Sequence, residues 1–209
     1  IPDVLHCHDW QTGLIPILLK SQYKPYEPYK NIRTVYTIHN LQYQGLFPIG
    51  TIEDLLFLGD WAYTSENLEF YGMCSMMKGG IVGADRITTV SPTYAEEIQD
   101  PWFAWGMDRL LRDRKYKLSG ILNGIDVESY DPSTDSEIPA TFSKFDLSGK
   151  AKCKEELQKE LGLEVAPDKM LIGMVGRLVS HKGLDLVRAV FDDIIREGYK
   201  VVILGSGDK

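Results

Sequence analysis

The 209-residue sequence has little cysteine and little histidine, three and four residues respectively. Cys7, Cys74 and Cys153 lie far apart and form no C-x-x-C pair. They read as reduced thiols of a cytosol-like, cytoplasmic compartment rather than as a disulfide framework. No apolar run approaches the roughly 18 residues of a membrane-spanning helix, and no signal-peptide pattern opens the chain. A basic excess is missing as well. The 23 Lys and Arg face 30 Asp and Glu, a net charge of −7, which argues against a general nucleic-acid-binding role, since that needs a clustered basic footprint. Internal repeats and low-complexity tracts are absent.

What is present is a globular balance, 44 % hydrophobic and 25 % charged, able to bury a core. The chain opens inside a strand-like run, "IPDVLHCHDW", without an initiator Met, and closes just after another, "KVVILG". A strand at each end leads us to expect a piece of a longer protein. Between them strands and helices alternate. "DVLHCH" leads into "DWQTGLIPILLKSQ", expected as a helix that Asp9 caps, and "RTVYTIH" is a β-branched run. "TIEDLLFLG" carries a weak capping-box relative, Thr51-x-x-Asp54. Phe70, Met73, Cys74, Met77 and Ile81 recur at helical spacing, predicting a long helix with one apolar stripe that fills the core. "DRITTVS" is a strand, "PTYAEEIQ" a helix with Pro92 near its first position, and "KLSGILNGID" a strand ending in a Gly turn.

The pattern then dissolves into Ser, Thr, Asp and Pro, which marks a boundary. "KAKCKEELQKELGL" is a charged helix stopped by Gly162, and "MLIGMV", "LDLVRAVFDDIIREG" and "KVVILG" form a β-loop-α-β unit in which Leu184, Val187, Phe191, Ile194 and Ile195 share a helix face. The fold class expected is α/β, with Rossmann-like parallel sheets and helices on both faces. Residues 1–130 would belong to a first domain, 131–169 to a linker and connecting helix, and 170–209 to the start of a second.

Functional loops of such a fold gather at the carboxyl ends of the strands. There, "GRLVSHKG" (176–183) places Arg177 and Lys182 in one loop between a strand and a helix. A helix amino terminus favours an anion, arginine adds a planar fork and lysine a point charge. A diphosphate fits, and so does a merely solvated loop. The Gly-rich G-K-[ST] signature of a P-loop is missing. His39, directly after "TVYTI", suits donation to a developing charge or a sugar hydroxyl, or else a structural role. Asp9 suits a helix cap or sugar hydroxyls. His6, Cys7, His8 and Asp9 invite a metal reading, but strand alternation turns His6 and His8 to one face and Cys7 to the other, so no metal site is expected. Trp10, Tyr43, Phe47, Trp102 and Trp105 offer flat surfaces that suit sugar rings or a core.

Six stretches converge on a family: "HCHDWQTGL", "TIHNLQYQGLFP", "GADRITTVSPTYAEEI", "LNGIDVESYDPSTD", "GRLVSHKGLDLV" and "VILGSGD". In this order and spacing the chain resembles bacterial glycogen synthases and starch synthases along essentially its whole length. The resemblance implies a GT-B glycosyltransferase with two Rossmann-like domains, both incomplete here, and an active site in the cleft between them. Its members transfer glucose from a nucleotide sugar, usually ADP-glucose in bacteria, to the non-reducing end of an α-1,4-glucan. They retain configuration and need neither metal nor cofactor.

Carried over by position, His39, Asp9, Arg177 and Lys182 are the implied catalytic residues. The pair Arg177 and Lys182 would hold the diphosphate, where charge grows as the bond breaks, and His39 would contact the transferred glucose. Trp10, Asn123, Gly176, Arg177 and Lys182 would bind substrate. The family's N-terminal Lys-Gly-Gly donor loop and its later glutamate motif have no counterpart in these 209 residues, so the chain alone is expected to be inactive and to self-associate. Neither nucleic acid nor membrane is an expected partner. Other GT-B transferases share the "GR…KG" loop, and a non-catalytic glucan-binding protein on the same fold is the remaining alternative.

Overall fold

The computed structural model describes residues 1–207. Their contacts divide into two compact units, Ile1–Gly124 and the described residues from Ile125 onward, each considered by itself. The "SGD" end of the last motif reaches Asp208, which lies outside the described residues.

In the first unit, β1 (Val4–His8) is followed by a 3-10 turn, Trp10–Thr12, and the short α1 (Leu14–Leu18), which runs into a π turn, Leu19–Tyr23. This differs from the single capped helix expected, because Asp9 has φ 53° and ψ −172° and its side chain caps nothing. Then come β2 (Arg33–Ile38), β3 (Leu46–Pro48) and α2 (Ile49–Leu56). Helix α2 starts two residues before Thr51, after Pro48, so the Thr51-x-x-Asp54 pattern lies inside it and makes no cap.

The predicted helix over 70–81 is corrected more deeply. Phe70 ends β4 (Glu69–Phe70), Met73 and Cys74 belong to β5 (Met73–Ser75), and only Met77 and Ile81 ride α3 (Met76–Gly83). Two left-handed residues, Tyr71 (φ 51°) and Gly72 (φ 80°), fold the chain into a hairpin there. Ser75 then caps α3, its hydroxyl accepting the Lys78 N–H at 3.1 Å, as N-cap serines do.

The unit continues through β6 (Arg86–Thr89), α4 (Pro92–Glu97) with Pro92 at its start, α5 (Asp108–Arg112) and β7 (Leu118–Gly120), a shorter strand than expected. Strands β1, β2, β6 and β7 form a four-stranded parallel sheet in the order β1-β2-β6-β7, and β3-β5-β4 make a small antiparallel sheet not foreseen from the sequence.

Two apolar clusters fill the unit. Tyr36, Ile38, Met77, Ile81, Ile87 and Ile98 anchor one, while Ile17, Ile52, Leu68, Cys74 and Met76 anchor the other. Trp10 packs against both. Helix α3 approaches through its glycines: a Cβ on Gly80 would stand 2.3 Å from the Tyr36 ring, and one on Gly83 would meet the Ile17 backbone at 2.3 Å.

The second unit holds α6 (Ser148–Glu160), β8 (Leu171–Val175), α7 (Leu184–Arg196) and β9 (Lys200–Leu204), with β8 and β9 parallel. Lys152 and Lys159 lace α6 to Glu155 and Glu156, which suits its charged sequence. On α7, half-buried Val187 and Ile194 line one open apolar hollow with Ile172, Val201 and Ile203, whereas Phe191 and Ile195 of the expected face are exposed. None of the fully buried apolar side chains among the described residues lies in this unit.

Candidate functional site

The site grows out of the parallel register of β1 and β2, which pairs Cys7 with Tyr36 and His8 with Thr37. Alternation sends Cys7 into the core and leaves His6 and His8 on the opposite face, their rings 4.2 Å apart. The Asp9 N–H extends the ladder by one bond to the Thr37 carbonyl, 2.9 Å. The chain then turns through the positive φ of Asp9, a conformation that costs a non-glycine residue about 1–3 kcal/mol.

That turn aims the Asp9 carboxylate across the strand ends. Its Oδ1 accepts the backbone N–H of His39 at 2.8 Å and, more distantly, that of Asn40 at 3.5 Å. The His39 ring meets its neighbour's, Nε2 standing 3.0 Å from Nδ1 of His8. Behind them His6 Nε2 lies 2.7 Å from the Thr37 hydroxyl, itself 2.6 Å from that of Thr88. The Thr12 hydroxyl accepts the His8 N–H at 2.6 Å and donates to the His8 carbonyl at 2.8 Å. Burial pushes the His8 pKa down, and the positive charges that His6 and His39 can carry add to it, against the opposing pull of Asp9. The lowered value favours the neutral ring of His8, which has one nitrogen to donate and one to accept.

Trp10 lies on Phe47, ring centroids 5.9 Å apart, and against Gly45, whose φ of 59° and closeness to the indole leave no room for a side chain: a Cβ would stand 2.5 Å from the ring. Asn40 Oδ1 accepts the Gln42 N–H, and the Tyr94 hydroxyl accepts that of Leu41, both at 3.0 Å, so the loop after β2 is ordered on both sides of its chain.

Among the residues singled out from the sequence, the structure joins Asp9 to His39 directly and sets Trp10 beside them. Asn123 follows β7, at the far side of the same sheet, exposed and without a side-chain hydrogen bond among the described residues. Gly176, Arg177 and Lys182 lie in the second unit. There the strand end Gly176–Leu178 packs on 205–207: the Gly176 N–H donates to the Leu204 carbonyl at 3.0 Å and the Leu178 N–H to the Ser206 carbonyl at 2.8 Å. Gly205 and Gly207 allow this contact, since a Cβ on either would lie within about 2 Å of a backbone oxygen, at 2.0 and 2.1 Å. A 3-10 turn, Ser180–Lys182, then leads through Gly183 (φ 74°) into α7, whose first turn has no side-chain cap. Arg177 and Lys182 are exposed, and neither makes an ion pair among the described residues. Sequence reasoning overlooked His8 as anything but a rejected metal ligand; the H-x-H spacing at a strand end was the available signal. No group of three or more His, Cys, Asp or Glu is arranged to hold a metal among the described residues.

Polar groups gathered at the carboxyl ends of adjacent parallel strands are the arrangement of a Rossmann-like α/β protein. The chain belongs, more narrowly, to the starch synthase catalytic domain family, whose model matches residues 1–113. It is 51 % identical over 208 residues to a glycogen synthase of Desulforamulus reducens, covering 100 % of this chain and 43 % of that protein. It is 48 % identical over 207 residues to a glycogen synthase of Clostridium acetobutylicum, covering 99 % and 43 %. Among solved structures it superposes on the catalytic domain of starch synthase IV from Arabidopsis thaliana bound to ADP and acarbose, with a TM-score of 0.90 and 34 % identity over 100 % of this chain and 43 % of that one. The chain thus spans 43 % of the length of these relatives.

Proposed function

We propose that this chain is part of a retaining glycosyltransferase that moves glucose from ADP-glucose to the non-reducing end of an α-1,4-glucan. The observation that carries the reading is the Asp9–His39 contact at the strand ends, found in a member of the starch synthase family. In this reading Asp9 presents His39 to the transferred sugar and Trp10 borders the acceptor side. Asn123 lies near the sugar. In the second unit, Gly176, Arg177 and Lys182 receive the diphosphate, whose rising charge in the transition state the two cations stabilise. Neither metal nor cofactor takes part, and the nucleotide sugar is a substrate. The proposed place of work is the cytoplasm. No helix of the described residues is long and apolar enough to cross a membrane.

The domain division proposed is 1–130 for the acceptor-side domain, 131–169 for the connection, and 170–209 for the opening of the donor-side domain. The 209-residue chain by itself is proposed to self-associate through the open edge of β1, which pairs only with β2 among the described residues; a clean monomer in light scattering at high concentration counts against that. The function is tested in the full-length protein. Arg177→Ala and Lys182→Ala should each lower kcat/KM for ADP-glucose by roughly 10- to 150-fold, the value of a charge-assisted hydrogen bond, without a matching loss of melting temperature. Wild-type kinetics in either variant would remove that residue from the site.

A further inference from the structure

Two consecutive residues hold His39 at both ends: Asp9 takes its backbone N–H, and His8 meets its ring. The second contact has no counterpart among the roles assigned above. We propose that His8 is a positioning residue for His39, its ring contact fixing the orientation of that imidazole and leaving Nδ1 as the nitrogen open to the sugar. The inference rests on the reading that His39 faces the transferred sugar.

The His39 side chain is exposed, and an exposed ring keeps its rotamer freedom unless something holds it. The 3.0 Å contact with His8 is the ring's hydrogen bond among the described residues. His8 can serve as the fixed end because it is itself held. The Thr12 hydroxyl clamps its backbone N–H and carbonyl, and its ring lies on His6 at 4.2 Å. His6 is in turn tied through Thr37 to Thr88. A continuous series of contacts therefore runs from β6 in the middle of the sheet to the exposed His39 ring.

The ring pair also has a proton requirement. Two neutral imidazoles bond only if one nitrogen carries the hydrogen and the other accepts it. One added proton keeps the bond, as imidazolium to imidazole. A second places two N–H groups face to face and breaks it. The titratable groups facing His8 are His6, Asp9 and His39. Both histidine neighbours oppose that second proton, so the contact persists at neutral pH and is lost in acid.

The test compares His8→Ala with His8→Asn in the full-length enzyme. An asparagine amide can stand where Nδ1 stood and bond His39 without titrating. His8→Ala should lower kcat by about tenfold or more, the scale of a mispositioned reacting group, with the KM for ADP-glucose within about twofold. His8→Asn should recover most of kcat while its pH profile loses an acid-side ionisation present in the wild type. An unchanged kcat in His8→Ala, beside an active wild type, overturns the inference alone. Imidazole 15N spectra of the 209-residue chain supply a readout independent of activity. The His39 ring 15N shifts, which report its tautomer, should change on His8→Ala, and identical His39 shifts in both proteins also overturn the inference. If the wild type is inactive while the His39 ring shifts change, the transferase reading fails and the ring contact stands.

Discussion

Replacing Asp9 by alanine and by glycine separates two energies that the turn after β1 combines. The carboxylate accepts the His39 N–H at 2.8 Å, a charged hydrogen bond worth about 1.5–3 kcal/mol, at the low end here because the pair is solvent-facing. Against it stands the backbone at φ 53° and ψ −172°, which costs any residue with a Cβ about 1–3 kcal/mol. Asp9→Ala loses the bond and keeps the strain, so it should destabilise the protein by about 1.5–2 kcal/mol. Asp9→Gly loses the same bond but relaxes the backbone, offset by about 0.4–1 kcal/mol of extra unfolded-chain freedom. The glycine variant should therefore be the more stable of the two by about 1 kcal/mol, the reverse of the usual order. Urea unfolding read by linear extrapolation, with equal slopes for the variants, measures both differences. An alanine variant as stable as the wild type would show that the carboxylate contributes nothing to the turn. An alanine variant more stable than the glycine one would refute the strain.

Three further outcomes follow from packing and titration. Gly80→Ala forces a Cβ to 2.3 Å from the Tyr36 ring, a side chain with no exposure; it should cost about 1–3 kcal/mol, whereas Gly50→Ala, with nothing within 4 Å, should be neutral or slightly stabilising, and equal melting temperatures for the two would contradict this. Lys117 is buried, its ammonium donating to the Ile81 and Ala84 carbonyls at 3.1 and 2.6 Å at the end of α3. Burial first, then the charges of Arg114 and Lys20, lower its pKa from 10.5 to about 8. The unfolded chain binds more protons between those values, so this residue makes stability rise as pH climbs from about 8 toward 10.5, and Lys117→Met should remove that rise; the same pH slope in both proteins would exclude Lys117 as its source. Gln158 is fully buried with both amide atoms unpaired, so Gln158→Met should stabilise the second unit by about 1–3 kcal/mol, and a lowered melting temperature would mean that the amide has a partner, such as a bound water.

The alternating pattern of the fold was legible because its strands are β-branched runs and its longer helices are punctuated. Pro92 opens α4 after the Ser91 cap, and Gly183 precedes α7 with φ 74°. The hairpin over 69–75 was not legible. Its apolar residues fall by coincidence at helical spacing, and the deciding element, a tyrosine with positive φ, carries no compositional mark. Helix α3 packs with backbone rather than side chains through Gly79, Gly80 and Gly83, which an apolar periodicity does not register. At the site, Asp9 and His39 were each visible alone. Their pairing depends on the register of two strands about thirty residues apart, and so on tertiary structure. The ring of His8 was hidden for the same reason.

Trp10 touches both apolar clusters of the first unit and directly follows Asp9. Neither cluster can open without uncovering part of the same indole, so the two are expected to melt as one cooperative unit rather than as separate foldons. The turn that aims Asp9 at His39 then shares the lifetime of the whole domain. Amides of this loop, though near the surface, would exchange with solvent at the slow rate set by global opening, and the orientation of the site would last through the faster local motions of the exposed loops around it.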